Sequence, residues 1–218
     1  MIGELAFSEH GLVKRAWMRD AGVTPAQVAR LVRNGALIRE YPGVYRVGHR
    51  APVLEARYLA AVLACGDGAL LCGRAAAFLL GLLRGGGAPP PPEVLTPVQR
   101  RVKGVRTVRA RRTGIDEEDR AEHRGIPVTT VSRTLVDLAK TLPVAALARA
   151  CHEAGVRYGT TPVAVERALA RRPNAPGARK LRLVLTGDAP VTLSKLDVFD
   201  HPAPMLAEMS ALLRRRPS

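Results

Sequence analysis

Residues 23–48, VTPAQVARLVRNGALIREYPGVYRVG, leave the chain little freedom in local structure. Thr24 is of the N-cap type, Pro25 suits a first helical position, and Gln27 stands third, completing a T-x-x-Q capping box. Val28, Leu31 and Val32 follow at i, i+3, i+4 spacing and predict one inward-facing stripe. Gly35, after Asn34, is placed to close that helix in the left-handed conformation. Two β-prone runs then flank Pro42-Gly43, which is a hairpin signal. A capped helix, a glycine stop and a small ribbon are thus fixed within one short stretch.

The helix face opposite the apolar stripe carries Gln27, Arg30, Arg33 and Asn34, long hydrogen-bonding side chains suited to phosphates and base edges. Upstream, GLVKRAWMRDAG reads as another short helix, with Val13, Ala16 and Trp17 inward and Lys14, Arg15 and Arg19 largely outside. Gly22 breaks the two helices apart. Two short helices joined by so brief a turn match the helix-turn-helix pattern, whose second helix enters the major groove of DNA. In the hairpin, Leu37 with Ile38 and Val44 with Val47 can cover the helices, leaving Arg39, Arg46 and His49 along a wing. The competing reading is a helix pair and ribbon that merely cap the next domain; a hairpin at the winged-helix position favours the DNA reading.

Charge points the same way. The 218-residue chain has a net charge of +15, more than solubility needs, so a polyanionic partner is expected. The alternative source of that charge is the arginine-rich usage of a GC-rich genome. Aromatic residues make up only 4% against a hydrophobic fraction of 47%, so the core must be built from Ala, Val and Leu, which favours helices. No apolar run approaches the roughly 18 to 20 residues that span a bilayer. The opening MIGELAFSEHG lacks a basic region followed by an apolar one. Cys65, Cys72 and Cys151 form no paired framework, and a cytoplasmic location is expected.

The segment GLVKRAWMRDAGVTPAQVARLVRNGALIREYPGVYRVG resembles the N-terminal winged-helix domain of the AbiEi-type antitoxins of type IV toxin–antitoxin systems. The Gly–Val–Tyr wing of that family is matched here by Gly43, Val44 and Tyr45, after a helix that ends at a glycine. The resemblance covers roughly residues 8 to 50 without gaps. It implies binding of double-stranded DNA, usually the operon's own promoter, and a possible cognate nucleotidyltransferase-like toxin. A second block, IPVTTVSRTLVDLA within residues 125 to 142, resembles the strand–helix element that follows the winged helix in the same family, where its role is structural. Ile126 to Val128 is strand-like, Thr129 or Thr130 can cap a helix with Val131, Leu135 and Leu138 inward, and Arg133 and Asp137 stand at ion-pairing distance along it.

Between these blocks, VLEARYLAAVLACGDGALLCGRAAAFLLGLL predicts two helices interrupted by glycines, with Cys65 and Cys72 as buried thiols rather than metal ligands. RGGGAPPPPE, glycine-rich and then polyproline, invites a domain-boundary reading, whereas the resemblance implies that it is a loop leading to a short strand at PEVLTP. The densest basic segment, residues 99 to 112, includes Arg100, Arg101 and Lys103 and has the β-character of one strand. Those three would add affinity for the DNA backbone. The alternative is a solvated strand face paired with the acids that follow, Asp116, Glu117, Glu118, Asp119 and Glu122. These acids lack the spacing with His or Lys that identifies a metal site or a catalytic pair, and suit a helix start. Cys151-His152 is not a nucleophile–base pair, because neighbouring helical residues point about 100° apart. Helices are expected at PVAALARACHEAG and after Thr161-Pro162.

At the C-terminus, LSKLD resembles the opening of a nuclease domain of the very-short-patch-repair type that many relatives carry, with Ser194, Leu196 and Asp197 in place. The residues after it contain neither the strand Asp nor the acid-x-Lys pair that would hold Mg²⁺, and a truncated remnant is expected. The resulting expectation is an α+β chain: a winged helix-turn-helix over 1–50, a mostly helical region with a small β-sheet over 51–190, and a tail over 191–218. The expected function is a DNA-binding repressor of the AbiEi antitoxin type, with no catalytic residue, metal or cofactor. Lys14 and Arg15 would meet phosphates, Gln27, Arg30, Arg33 and Asn34 the groove, and Arg39, Arg46 and His49 the wing contacts. The alternatives are an endonuclease relative that has lost its catalytic domain, and an antitoxin that binds protein without DNA specificity.

Overall fold

The computed structural model describes residues 10–48, 53–83, 88–98, 109–112 (backbone only) and 114–187, and the fold is α+β. The N-terminal part runs β1 (Leu12–Lys14), α1 (Arg15–Asp20), α2 (Pro25–Arg33), β2 (Leu37–Tyr41) and β3 (Val44–Val47). The capped helix, glycine stop and hairpin stand where the sequence puts them. One correction concerns the upstream segment, which is not a single helix. Leu12–Lys14 is extended because it pairs antiparallel with β3, Leu12 opposite Arg46 and Lys14 opposite Val44, and the helix starts only at Arg15.

The three strands form an antiparallel sheet of order β1-β3-β2, so the last strand lies in the middle. Both faces of this small sheet are covered, and strand alternation sorts its residues between them. Val13, Leu37 and Tyr45 pack with Met18 of α1 and Val28 of α2 in one cluster. Leu12 and Val44 belong to the larger core that also holds Tyr58 and Leu59. The sequence predicts that Val44 and Val47 cover the helices together, but only Val47 packs with α1 and α2 while Val44 faces the larger core, because three positions apart on a strand the two side chains point to opposite faces. Val32, counted into the inward stripe of α2, is 37% exposed, because it sits at the edge of an arc centred on Val28 and Leu31.

The rest of the chain comprises α3 (Leu54–Cys65), β4 (Leu70–Leu71), α4 (Gly73–Leu79), β5 (Glu93–Thr96), β6 (Arg109–Arg112), a 3₁₀ turn (Glu117–Asp119), β7 (Arg120–His123), β8 (Ile126–Thr129), α5 (Val131–Ala139), α6 (Val144–Tyr158), α7 (Pro162–Ala170) and α8 (Ala178–Thr186). The strands form a mixed sheet of order β6-β5-β4-β8-β7, with β4–β8 and β5–β6 parallel. Helix α3 is apolar nearly all round, since it packs against the winged-helix sheet on one side and the mixed sheet on another. Its Tyr58 is fully buried, and the hydroxyl donates to the Pro90 carbonyl at 3.0 Å. Burial pushes the Tyr58 phenol up to about 12.

Helix α5 is the hub of the C-terminal half, packed against α4, α6, α7 and α8. Thr130 caps it, accepting from the Arg133 amide at 3.4 Å, and Thr161 caps α7, accepting from the Ala164 amide at 3.2 Å. Before α8, Gly177 adopts φ +87°, where a Cβ would collide with the carbonyl of Ala139 at the end of α5. Only glycine lets the chain pass that carbonyl.

Candidate nucleic-acid interface

The α1–α2 unit is set by short-range bonds. Gly22, at φ +81°, makes the turn between the helices. The Thr24 hydroxyl accepts from the Gln27 amide at 3.3 Å, and Gln27 Oε1 accepts from the Thr24 amide at 2.7 Å, so the capping box is closed in both directions. Gly35, at φ +75°, then releases the chain into β2.

With Val28 and Leu31 turned inward, the centre of the outward face of α2 is formed by Ala26, Ala29, Arg30 and Arg33, at i, i+3, i+4 and i+7. All four are exposed. Among the described residues no carboxylate pairs with Arg30 or Arg33, and the same holds for Arg15 at the start of α1 and for Arg39 on β2, both also exposed. Four exposed cations without a carboxylate partner among the described residues thus lie in this module, two of them on the outward face of α2; Arg57, Arg74, Lys140, Arg167 and Arg179 are exposed in the same way elsewhere.

The other sequence-predicted residues stand differently. Lys14 is only 18% exposed, holds Asp67 at 2.8 Å and lies 5.4 Å from the centre of the Trp17 ring. Arg46 is 12% exposed and bound to Glu40 at 2.6 Å across the hairpin. Gln27 is exposed, but its amide oxygen is committed to the capping box. Asn34 Oδ1 accepts from the Ala36 amide at 3.3 Å, so this side chain helps terminate α2. His49, Arg100, Arg101 and Lys103 lie outside the described residues, as does the tail. Ala26 and Ala29 escaped the sequence reading because a methyl group advertises no chemistry. Helical phase from Val28 and Leu31 was enough to place them.

The acidic run 116–122 has a different use. Asp119 is completely buried and accepts from Arg133 at 2.6 Å, from Arg171 at 2.8 Å and from Arg172. Asp116 takes Arg172 at 2.9 Å, Glu118 takes Arg171 at 2.6 Å, and Arg133 also reaches Asp137 at 3.4 Å. Held by Asp119, Arg171 titrates above the usual guanidinium range. The cluster ties the end of α7 to the start of β7 and to α5. Its acids serve structure, and Arg171 and Arg172 are the partners that sequence did not reveal. Burial pushes the Cys151 thiol up to about 11, the opposite of what a nucleophile requires.

Residues 4–48 match the family model AbiEi_4, described as a transcriptional regulator, AbiEi antitoxin. Over those residues the N-terminal module is similar to the AbiEi type. Its β1–α1–α2–β2–β3 path is the matched span, so the resemblance read from the Gly–Val–Tyr wing and the glycine-ended helix rests on the same residues. The description as a regulator agrees with a DNA-binding role for the AbiEi-type module. No curated protein matches the chain. A crystal structure of the RV2827C protein from Mycobacterium tuberculosis is similar over 100% of this chain and 80% of that one, with 19% identity and a TM-score of 0.53. That similarity is one of fold, and it extends through the α+β region beyond the AbiEi-type module. Among the described residues no helix is long and apolar enough to cross a membrane.

Proposed function

We propose that the protein is a DNA-binding transcriptional regulator of the AbiEi antitoxin type, which represses the promoter of its own operon by laying α2 into the major groove. The observation that carries the reading is the outward face of α2: Arg30 and Arg33 are exposed and, among the described residues, unpaired. Arg133, Arg171 and Arg172, by contrast, are held by carboxylates, and the exposed Arg57, Arg74, Arg167 and Arg179 do not stand on a helix of the helix-turn-helix unit. In this reading Arg15 and Arg39 flank the helix and meet phosphates. Lys14, neutralised by Asp67, and Arg46, neutralised by Glu40, position the sheet and add little contact. Gln27 and Asn34 serve α2 through its two ends. His49, Arg100, Arg101 and Lys103 remain proposed backbone contacts on the strength of their charge. The proposed protein partner is a nucleotidyltransferase-like toxin encoded beside it, and the proposed location is the cytoplasm.

The test is genome-wide recovery of DNA bound by the tagged full chain in its native host. One dominant site upstream of its own gene is expected, with reporter expression from that promoter rising when the gene is deleted. Recovery of no DNA above background would refute the regulator reading, and recovery of other promoters alone would refute self-repression.

A further inference from the structure

The exposed centre of α2 combines two arginines with two alanines, and this composition bears on what sequence it reads. Resting on the placement of α2 in the major groove, we infer that the chain selects a short half-site. In it Arg30 and Arg33 each take a guanine, and Ala26 and Ala29 pack on thymine methyl groups. Ala26 to Arg33 spans about 10.5 Å along the axis at 1.5 Å per residue, which matches about three base-pair steps of 3.4 Å.

The assignment follows from the atoms available. A guanidinium fork fits guanine O6 and N7 together, and no other base offers two acceptors side by side in the major groove. Arg30 and Arg33 are free to make that contact because neither meets a carboxylate among the described residues. Alanine has nothing beyond Cβ, so at positions 26 and 29 the helix can approach the base edges closely. The surface it then presents is a methyl, whose counterpart on DNA is the C5-methyl of thymine. Ala26 lies in the first turn of α2, and in helix-turn-helix docking the N-terminal residues of the second helix reach deepest into the groove. Gln27, the usual reader of adenine, is set aside here: its Oε1 is spent on the Thr24 amide, which leaves only half of the bidentate pattern that adenine needs. Asn34 is engaged in the same way with Ala36.

The experiment selects duplexes from a random pool with the full chain, then replaces single bases in the recovered site. Exchanging a contacted guanine for 7-deazaguanine removes N7. The expected loss is about 2- to 12-fold, half of the 1–3 kcal/mol value of a bidentate pair because O6 still accepts, converted at 1.4 kcal/mol per decade. In Arg33→Ala, or in Arg30→Ala for the other guanine, the same exchange should cost nothing further. Replacing a contacted thymine by uracil removes only the methyl and should weaken binding about fourfold, the value of one buried carbon. A chain that selects a defined site yet tolerates both replacements would overturn the base assignment and leave DNA binding intact. A preference lost on Gln27→Ala but kept on Arg33→Ala would overturn it equally. Failure to bind any duplex would instead refute the placement of α2 in the groove, and this inference with it.

Discussion

Replacing Asp119 with Asn keeps the shape of the side chain and removes its charge from the most buried ionic site described in the protein. Asp119 is 0% exposed and serves Arg133, Arg171 and Arg172 at once, while the side chain of Arg133 is itself only 5% exposed. Breaking a buried pair by deleting one partner costs about 3–5 kcal/mol, since the remaining charge stays desolvated. The damage is unevenly spread. Arg171 keeps Glu118 at 2.6 Å and Arg172 keeps Asp116 at 2.9 Å, but among the described residues Arg133 retains only Asp137, at 3.4 Å. The loss should therefore fall near the low end, about 3 kcal/mol, and be concentrated on Arg133. For a chain of this length that corresponds to a fall of about 6–12 °C in Tm. Urea unfolding followed by circular dichroism measures it. Adding Arg133→Met to Asp119→Asn should restore part of the loss, because the orphaned cation is gone. A single-variant loss below about 1 kcal/mol, or a double variant weaker than the sum of the singles, would refute the view that Arg133 is held in the interior by Asp119.

Three further outcomes follow from local geometry. Gly177→Ala should destabilise by about 1–3 kcal/mol in the same urea assay, because the chain there holds φ +87° and the added Cβ meets the Ala139 carbonyl. Thr24→Ala opens the capping box and should cost about 1 kcal/mol, read as a shift of the urea midpoint with an unchanged slope. The Cys151 thiol, raised by burial to about 11, is about one part in a thousand thiolate at pH 8. Cys65 and Cys72 are buried, so a thiol-specific chromogenic reagent at pH 8 should detect no fast-reacting group in the native protein and all three thiols in guanidinium. Because burial disfavours the thiolate, reactivity of Cys151 should rise only as the pH climbs toward 11, and a fast thiol near neutrality would contradict its burial.

What could be read from sequence was whatever a few neighbouring residues decide. The Thr24–Gln27 box, the Gly35 stop, the Pro42-Gly43 hairpin and the Thr130 and Thr161 caps each depend on positions within four residues. Their signals survive folding intact. The misread elements depend on distant partners. Leu12–Lys14 is a strand only because β3 lies beside it, and helix-like spacing around Val13 and Trp17 could not disclose that pairing. The same blindness affected the site. Lys14 and Arg46 looked as available as Arg30; tertiary structure brings Asp67 to the first from 53 positions away, and the strand register of the hairpin brings Glu40 to the second. Asp119 lies 52 and 53 positions from Arg171 and Arg172, so the structural purpose of the acidic run had no local signature. Conversely, helical phase from Val28 and Leu31 puts Ala26 and Ala29 on the outward face, although a methyl side chain carries no chemical signal of its own.

The central claim is that the outward face of α2 lies in a DNA groove. Its most direct measurement is the affinity of the full chain for its selected site and for a scrambled duplex, across a salt series, beside the Arg30→Ala/Arg33→Ala double variant. The affinity of the parent should fall with salt by about 0.9 in log K per phosphate contact. It should prefer its site, and in the double variant that preference should collapse toward the scrambled value. An unchanged ratio of the two affinities in the double variant would place recognition elsewhere and contradict the claim.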